Sequence, residues 1–347
     1  MGINNKRIAQ TRQQKMQNIP KTTKGVLIQQ DGSLAYGEVP LPELTDDQVL
    51  VKVHSAPIHR LDHFILYGIY PFDPRPKPCL GGSEGSGLVI ATGSSDQAKA
   101  LLNQRVSFFT AGSFAEYCVV PAISAVPLPE NIDYEQGSMY QLNPLTTEGI
   151  LHTCDVNKYT AIANSAAASQ LGRMLLKGAK ERGITVVNFV RREAQVKILK
   201  DLGAEFIINR GEEGWEERAE KVLEEQKVQA YFDALSGPDA GKIFSVLPLK
   251  TDVYNYGKLT DQDLVFDPYL LTTKLNAIRA FDLYSLLVVP ETAAKLIKGA
   301  FEKMEKGTIS STVADRYPHE KFAEALEAFK EGKTSGKVLI QNPNFGQ

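Results

Sequence analysis

The sequence predicts an α/β protein in which a β-rich first lobe is joined to a doubly wound parallel sheet. Three observations carry this reading. From Tyr159 the chain alternates strand and helix in the order βαβαβαβ, the pattern of a parallel sheet covered on both faces. Before Pro121 it is a series of short apolar or alternating segments separated by turn formers, which suits a compact, partly closed sheet. And 347 residues are too many for one ordinary core and suit two lobes.

In the first lobe, strands are expected at residues 25–29, 48–54, 87–91, 105–110 and 115–120, with turns at Asp31-Gly32, Gly81-Gly82 and Gly93-Ser94. Residues 133–154 read as helical, broken near Pro144. The parallel region opens with a strand at 159–164. A helix follows at 170–182, with Leu171, Met174, Leu175 and Ala179 on one face. Residues 184–190 form a continuous apolar strand of the buried parallel kind. A helix at 194–202 is closed by Gly203. Strand 206–209, helix 214–225, strand 230–234, helix 240–246 and a strand at 253–256 continue the alternation. The tail, with helices at 291–305 and 319–331 and strands at 309–314 and 337–341, is expected to return to the first lobe.

Composition removes several classes of function. Hydrophobic content of 43% and charged content of 23% are those of a globular chain. A net charge of −2 supplies no electrostatic reason to bind nucleic acid, and no apolar run is long enough to insert into a bilayer. Cys79, Cys118 and Cys154 are too dispersed for a disulfide framework or a metal knuckle, and they read as small buried apolar residues of a reducing compartment. Residues 1–23 form a basic tail with Lys6, Arg7, Arg12, Lys15 and Lys21, and no acid precedes Asp31. This is either an acid-poor mitochondrial targeting segment or a solvated tail, so the mitochondrial matrix and the cytoplasm both stay open.

The chemistry-bearing feature is the turn between the first two parallel strands. Ser165-Ala166-Ala167-Ala168-Ser169-Gln170-Leu171-Gly172 is a run of mostly small residues between a strand and a helix. That is the context in which backbone amides and a helix N-terminus hold a dinucleotide pyrophosphate. Ala167 and Ser169 stand where G-x-G-x-x-G has its first two glycines, while Gly172 keeps the third. The second strand ends Val190-Arg191-Arg192 rather than in an acid. A guanidinium matches a ribose 2′-phosphate, which favours NADP(H) over NAD.

The chain from about Lys24 onward resembles the medium-chain dehydrogenase/reductase superfamily, in its zinc-less branch of quinone oxidoreductases and 2-enoyl thioester reductases. Ala56-Pro57-Ile58-His59-Arg60-Leu61-Asp62, Gly68-Ile69-Tyr70, Gly82-Ser83-Glu84-Gly85-Ser86-Gly87, Gly112-Ser113-Phe114-Ala115-Glu116-Tyr117 and Asn143-Pro144-Leu145-Thr146 follow that branch's motifs in order. Leu202-Gly203-Ala204 and the terminal Gly336-Lys337 fit as well. Leu249-Lys250-Thr251-Asp252 departs from the family's usual Gly-Gly pair. The resemblance implies a GroES-like catalytic domain at residues 24–148 and 290–347 and a Rossmann domain at residues 149–289, paired as a homodimer.

The resemblance also implies the site. Zinc-dependent relatives have a Cys where this chain has His59 and a His where it has Ser83, so no three-ligand zinc centre is expected and His59 is a polar residue of the cleft. What remains is hydride delivery to an electron-poor double bond of a small molecule: an enoyl thioester, an enone or a quinone. Tyr70 is the implied proton donor. The implied cofactor contacts are Asn143, the loop residues Ala168, Ser169, Gln170, Leu171 and Gly172, the pair Arg191 and Arg192, and Tyr256, Gly257, Phe281 and Lys337. A second expectation is a weakly active or inactive subunit with a structural or nucleotide-sensing role, joined to a larger assembly through the basic tail.

Overall fold

Alternation within single strands builds both halves of this chain. The structure, a computed structural model, describes residues 19–68, 75–260, 262–331 and 336–346. Most of the basic tail, and Tyr70, lie outside the described residues. In chain order the strands are β1 (Thr22–Ile28), β2 (Leu34–Pro40), β3 (Gln48–Pro57), β4 (Cys79–Leu80), β5 (Glu84–Thr92), β6 (Arg105–Phe109), β7 (Tyr117–Pro121) and β8 (Ala125–Pro127). They continue as β9 (Ala161–Asn164), β10 (Thr185–Val190), β11 (Phe206–Asn209), β12 (Ala230–Asp233), β13 (Asp252–Asn255), β14 (Ala277–Ala280), β15 (Val313–Pro318) and β16 (Lys337–Gln341).

The chain divides into two units, one of residues 1–142 with 311–347 and one of residues 143–310. In the first, a sheet ordered β15-β16-β3-β5-β6-β8, with β7 also paired to β3, accompanies a smaller sheet β2-β1-β4. Strand β3 is central, and Val49, Leu50, Val51 and Val53 in it are essentially inaccessible to solvent. This is why its apolar run is nearly continuous.

The second unit carries a parallel sheet ordered β11-β10-β9-β12-β13-β14. Ile162, Val186, Val190 and Phe232 enter one core, with Leu175, Leu176 and Ala179 of the helix Gln170–Glu181. Ala161, Ala163, Val187, Phe189 and Tyr231 enter the opposite core, with Trp215, Ala219 and Leu223 of the helix Trp215–Glu225. Both faces of each strand are therefore apolar, as a sheet covered by helices on two sides requires.

Several expectations shift. Pro144 lies in the first turn of the helix Leu142–Asn157, where its missing N–H costs no hydrogen bond, so it starts that helix and the break precedes it. The second lobe extends beyond residues 149–289. The helix Pro290–Glu305 joins it, because Leu296 and Ala300 pack with Leu145 and Lys303 pairs with the buried Glu148 at 2.6 Å. The strand expected at 309–314 forms later, as β15. Strands β2 and β14 carry little apolar alternation and escape sequence reading. Among the described residues no helix is long and apolar enough to cross a membrane. Cys118 and Cys154 are buried, and burial pushes both thiols up to about 12, which keeps them protonated and inert.

One buried group makes the first unit acid-sensitive. His319 is fully inaccessible, neither ring nitrogen has a hydrogen-bond partner among the described residues, and burial pushes the imidazole down to about 4. The unfolded chain takes up this proton near pH 6.5, so the stabilisation is complete above that pH and is lost as pH falls toward 4. The loss amounts to about 3 kcal/mol from this one group. His319→Leu is expected to flatten the fall in melting temperature between pH 7 and pH 4.5, read by calorimetry. An unchanged slope would show that other groups control it.

Candidate functional site

The parallel sheet has its topological switch between β9 and β12, where strand order reverses and an open α/β sheet binds ligands at its carboxyl edge. Asn164 ends β9 and Asp233 ends β12. Asp233 is buried, and its carboxylate accepts from Ser165 Oγ at 2.9 Å, Tyr231 OH at 2.8 Å, the amides of Leu235 at 3.1 Å and Ser236 at 2.9 Å, and Asn255 Nδ2 at 3.2 Å. Ser165 Oγ in turn accepts the Ala234 amide at 2.8 Å. One carboxylate therefore ties together the loops that follow β9, β12 and β13. It holds Ser236 at φ +53°, a conformation that a non-glycine residue adopts only under such constraint.

The loop after β9 is tight for a definite reason. A Cβ on Gly172 would stand 2.3 Å from the carbonyl oxygen of Ala167 and 2.7 Å from its carbon, so glycine alone lets the helix Gln170–Glu181 close on the loop. Ser169 is the N-cap of that helix, and its Oγ accepts the Gly172 amide at 3.1 Å. Ala168 and Gln170 are buried, and Leu171 packs against the core beneath. Ala166 takes φ +51°, the left-handed turn that a glycine would make at lower cost. With the first two pattern glycines replaced, the turn is preserved by Gly172, a cap and one strained alanine.

Arg191 and Arg192 follow β10 and are both exposed. Strand β11 lies beside β10, and the Arg210 amide donates to Val190 O at 2.8 Å. Arg210 therefore follows the strand beside the one that ends in Arg191 and Arg192. Arg210 is missing from the sequence reading because nothing local distinguishes it. Its side chain is buried, it meets Asp239 at 3.0 Å, and its Nε has no partner among the described residues.

Farther along the edge, Tyr256 OH donates to Asn164 Oδ1 at 3.4 Å, and its ring meets that of Phe281 edge-on at 6.3 Å. Burial, and the negative charge of Asp233, raise the Tyr256 phenol well above its usual range. Gly257 O accepts from Ser236 Oγ and Asn255 Nδ2 at 3.1 Å each. Asn143 lies in the first turn of its helix, where its carbonyl accepts from Thr147 Oγ1. The carboxyl edge of this sheet therefore gathers Asn164, Ser165, Asp233, Tyr256, Gly257 and Phe281 from separated segments.

The first unit carries a second polar constellation. Strands β16 and β3 pair with Leu339 opposite Pro57, and extending that register sets Lys337 opposite His59. Strand β5 lies on the other side of β3 and begins at Glu84. Lys337 Nζ lies 2.7 Å from His59 Nδ1, and His59 Nε2 lies 2.6 Å from Glu84 Oε2, with His59 and Glu84 buried. The other Glu84 oxygen accepts the amides of Gln141 at 2.7 Å and Leu142 at 3.0 Å. Asp62 Oδ2 accepts the His59 amide at 2.7 Å. An ammonium can only donate, so His59 Nδ1 accepts and Nε2 carries the proton to Glu84. Burial pulls Lys337 down to about 8, opposed by the charges of Glu84 and Asp62. The sequence reading had His59 and Lys337 as separate features.

Comparison with known families finds a match in each unit. Residues 45–130 match the family of the alcohol dehydrogenase GroES-like domain, and residues 171–299 match that of the zinc-binding dehydrogenases. The chain belongs to the medium-chain dehydrogenase/reductase superfamily. Within this superfamily it falls in the branch of quinone oxidoreductases and enoyl reductases. It is 26% identical to the quinone oxidoreductase of Homo sapiens over 309 residues, covering 87% of this chain and 91% of that protein. It is 27% identical over 290 residues to the mitochondrial enoyl-[acyl-carrier-protein] reductase of Caenorhabditis elegans, covering 81% and 83% of the two chains. A Mesorhizobium loti structure described as a candidate NADPH:quinone reductase superposes with a TM-score of 0.85 at 29% identity, covering 93% of this chain and 99% of that one. The GroES-like and Rossmann architecture of the superfamily is the one described above.

Proposed function

We propose that this chain is a zinc-independent, NADPH-dependent reductase that delivers hydride to an activated double bond of an enoyl thioester, an enone or a quinone. The observation that carries the cofactor choice is the pair Arg191 and Arg192, exposed at the end of β10 with no acid in their place. Guanidinium groups bind a phosphate bidentately, and an acid there would repel it. The loop fits the rest of a dinucleotide. Gly172 lets the helix approach, Ala166, Ala167 and Ala168 present no bulk, and the helix N-terminus at Ser169 favours an anion. Tyr256, Gly257, Phe281 and Asn143 are assigned to the remaining length of the cofactor by resemblance. The names of the relatives support the same reading.

The donor set argues against a catalytic zinc. Ser83 is a poor zinc ligand, both His59 nitrogens are engaged, and one of them meets a lysine ammonium that would repel a dication. Activation of the acceptor then falls to protein groups. A bound nicotinamide supplies the hydride. Tyr70 supplies the proton by resemblance, and Tyr70→Phe is expected to lower turnover about a hundredfold without weakening NADPH binding. Unchanged turnover would remove that role. The mitochondrial relative from Caenorhabditis elegans supports the targeting reading of residues 1–23.

Fluorescence titration with NADPH and NADH, followed by turnover of a crotonyl thioester and a quinone in the presence of a chelator, tests the whole reading. Replacing Arg191 and Arg192 together by alanine is expected to weaken NADPH about 10²–10⁴-fold and NADH less than threefold, since each charge-assisted phosphate contact is worth about 1.5–3 kcal/mol. Equal losses for both cofactors would overturn the assignment. NADPH binding with no turnover of any acceptor would favour the nucleotide-sensing role instead.

A further inference from the structure

We propose that Arg173 is a further binding residue of the dinucleotide loop, whose guanidinium receives a diphosphate in place of amide donors that the loop keeps for itself. This rests on the reading of residues 166–172 as a pyrophosphate turn, and it names a residue that the glycine motif leaves out. Arg173 follows Gly172 in the helix Gln170–Glu181. Side chains on a helix lean toward its N-terminus, and this one reaches back five residues, so that Arg173 Nε donates to Ala168 O at 2.8 Å. Loop, helix and guanidinium all belong to the second unit.

Several of the loop's own amides are committed within the protein. The Gly172 amide donates to Ser169 Oγ at 3.1 Å, the Ser169 amide to Ala166 O at 2.9 Å and the Ala167 amide to Phe189 O at 3.3 Å. A glycine at position 169 would have no side-chain oxygen to occupy the Gly172 amide. Serine there secures the helix and withdraws one donor from a ligand. The Ala168 carbonyl is a second obstacle, because its oxygen repels those of a phosphate. Arg173 Nε covers that oxygen and brings a positive charge beside it.

That charge sits where a helix resists it. The N-terminus of a helix carries a partial positive charge, which favours acids and disfavours cations. The first turn of this helix has no acid, and the guanidinium is turned back over the residues that precede it. Burial draws the Arg173 pKa below the ordinary arginine value, yet a guanidinium stays charged. A neutral donor would cap Ala168 O without this opposition. A cation is called for when a diphosphate lies beside it, because the anion then meets the helix dipole and the guanidinium together. The place is open to a ligand, since Ser169 is exposed and Ala166 and Arg173 are half-buried.

Three variants separate the charge from the hydrogen bond. Arg173→Gln keeps an N–H in reach of Ala168 O and removes the charge. Arg173→Lys keeps the charge and gives up the planar fork, and Arg173→Met gives up both. The probes are NADPH, inorganic pyrophosphate and adenosine, with binding read by titration calorimetry. Arg173→Gln and Arg173→Met should hold NADPH and pyrophosphate at least about tenfold more weakly, the scale of one charge-assisted contact, and adenosine as the wild type does. Arg173→Lys should lie between, and high salt should narrow the differences. Melting supplies a readout that a merely structural arginine would move the other way. Without ligand, Arg173→Gln should melt at the wild-type temperature or about 1–3 °C above it, because a cation leaves the positive end of the dipole. With the same excess of NADPH on both proteins the order should reverse. The proposal is overturned if Arg173→Gln binds NADPH and pyrophosphate as tightly as the wild type, or if it melts well below the wild type without ligand. If pyrophosphate binds every variant equally, the proposal falls and the loop keeps its role. If pyrophosphate neither binds the wild-type protein nor competes with NADPH, the reading of the loop falls with it.

Discussion

Asp233→Ala is expected to destabilise the Rossmann unit by about 3–5 kcal/mol, the largest effect of any single substitution proposed here. The carboxylate is buried and receives five donors, from Ser165, Tyr231, Leu235, Ser236 and Asn255. Alanine leaves these donors together in a space too dry to replace the lost acceptor, and each unsatisfied group costs about 1–3 kcal/mol. Ser236, at φ +53°, also loses what constrains it, so its loop is expected to relax. In a unit of this size the melting temperature should fall by on the order of 10 °C by calorimetry. NADPH binding should also weaken below the transition, because the loops after β9 and β12 share this anchor. A fall of under 2 °C would mean that water satisfies the donors and that the carboxylate is not the anchor. Asp233→Asn, which keeps one acceptor oxygen, should lie between.

The second large effect is expected at Gly172. A Cβ there would overlap the backbone of Ala167, and backbone cannot move aside as a flexible side chain can. Gly172→Val must push the helix Gln170–Glu181 away from the loop, at about 1–3 kcal/mol for the overpacking alone. The loss of NADPH affinity should be larger, on the order of a hundredfold, since misplacing a preorganised binding loop by about 1 Å has effects of that size. Ser169→Ala is the informative contrast. It removes only the cap on the Gly172 amide, and about 1 kcal/mol of helix stability with it. If both variants bind NADPH as the wild type does, the loop does not hold the pyrophosphate.

Much of this fold is legible in the sequence because its signal is local. Strands β9 to β13 and the helices between them follow from apolar periodicity, and Gly203 closes its helix in the left-handed conformation, φ +79°, that its position after residue 202 implies. The reading fails where periodicity is weak. Strand β14 (Ala277–Ala280) ends in two exposed residues and carries no clear alternation, and β2 buries none of its residues fully. The lobe boundary shifts for another reason. The apolar face of the helix Pro290–Glu305 is visible in the sequence, but its partners Leu145 and Glu148 are not, being more than 140 residues away.

The turn at residues 166–172 shows the same division within one motif. Small residues between a strand and a helix point to a dinucleotide loop, and the glycine at 172 is explained by a contact inside the same turn. How the loop survives the loss of its other glycines depends on the Ser169 cap and on the left-handed Ala166, which composition does not reveal.

The sequence by itself determined the fold class, the place of the dinucleotide loop, the paired arginines after β10 and the superfamily, because each is written in spacing or motif along one stretch of chain. Only the tertiary structure decided that Asp233 anchors three loops, that Arg210 pairs with Asp239, and that Lys337 meets His59 across 278 positions of sequence. Hydrophobic periodicity records which face of an element is buried. The meeting of distant polar groups depends on strand order and register, which follow from how the sheets assemble.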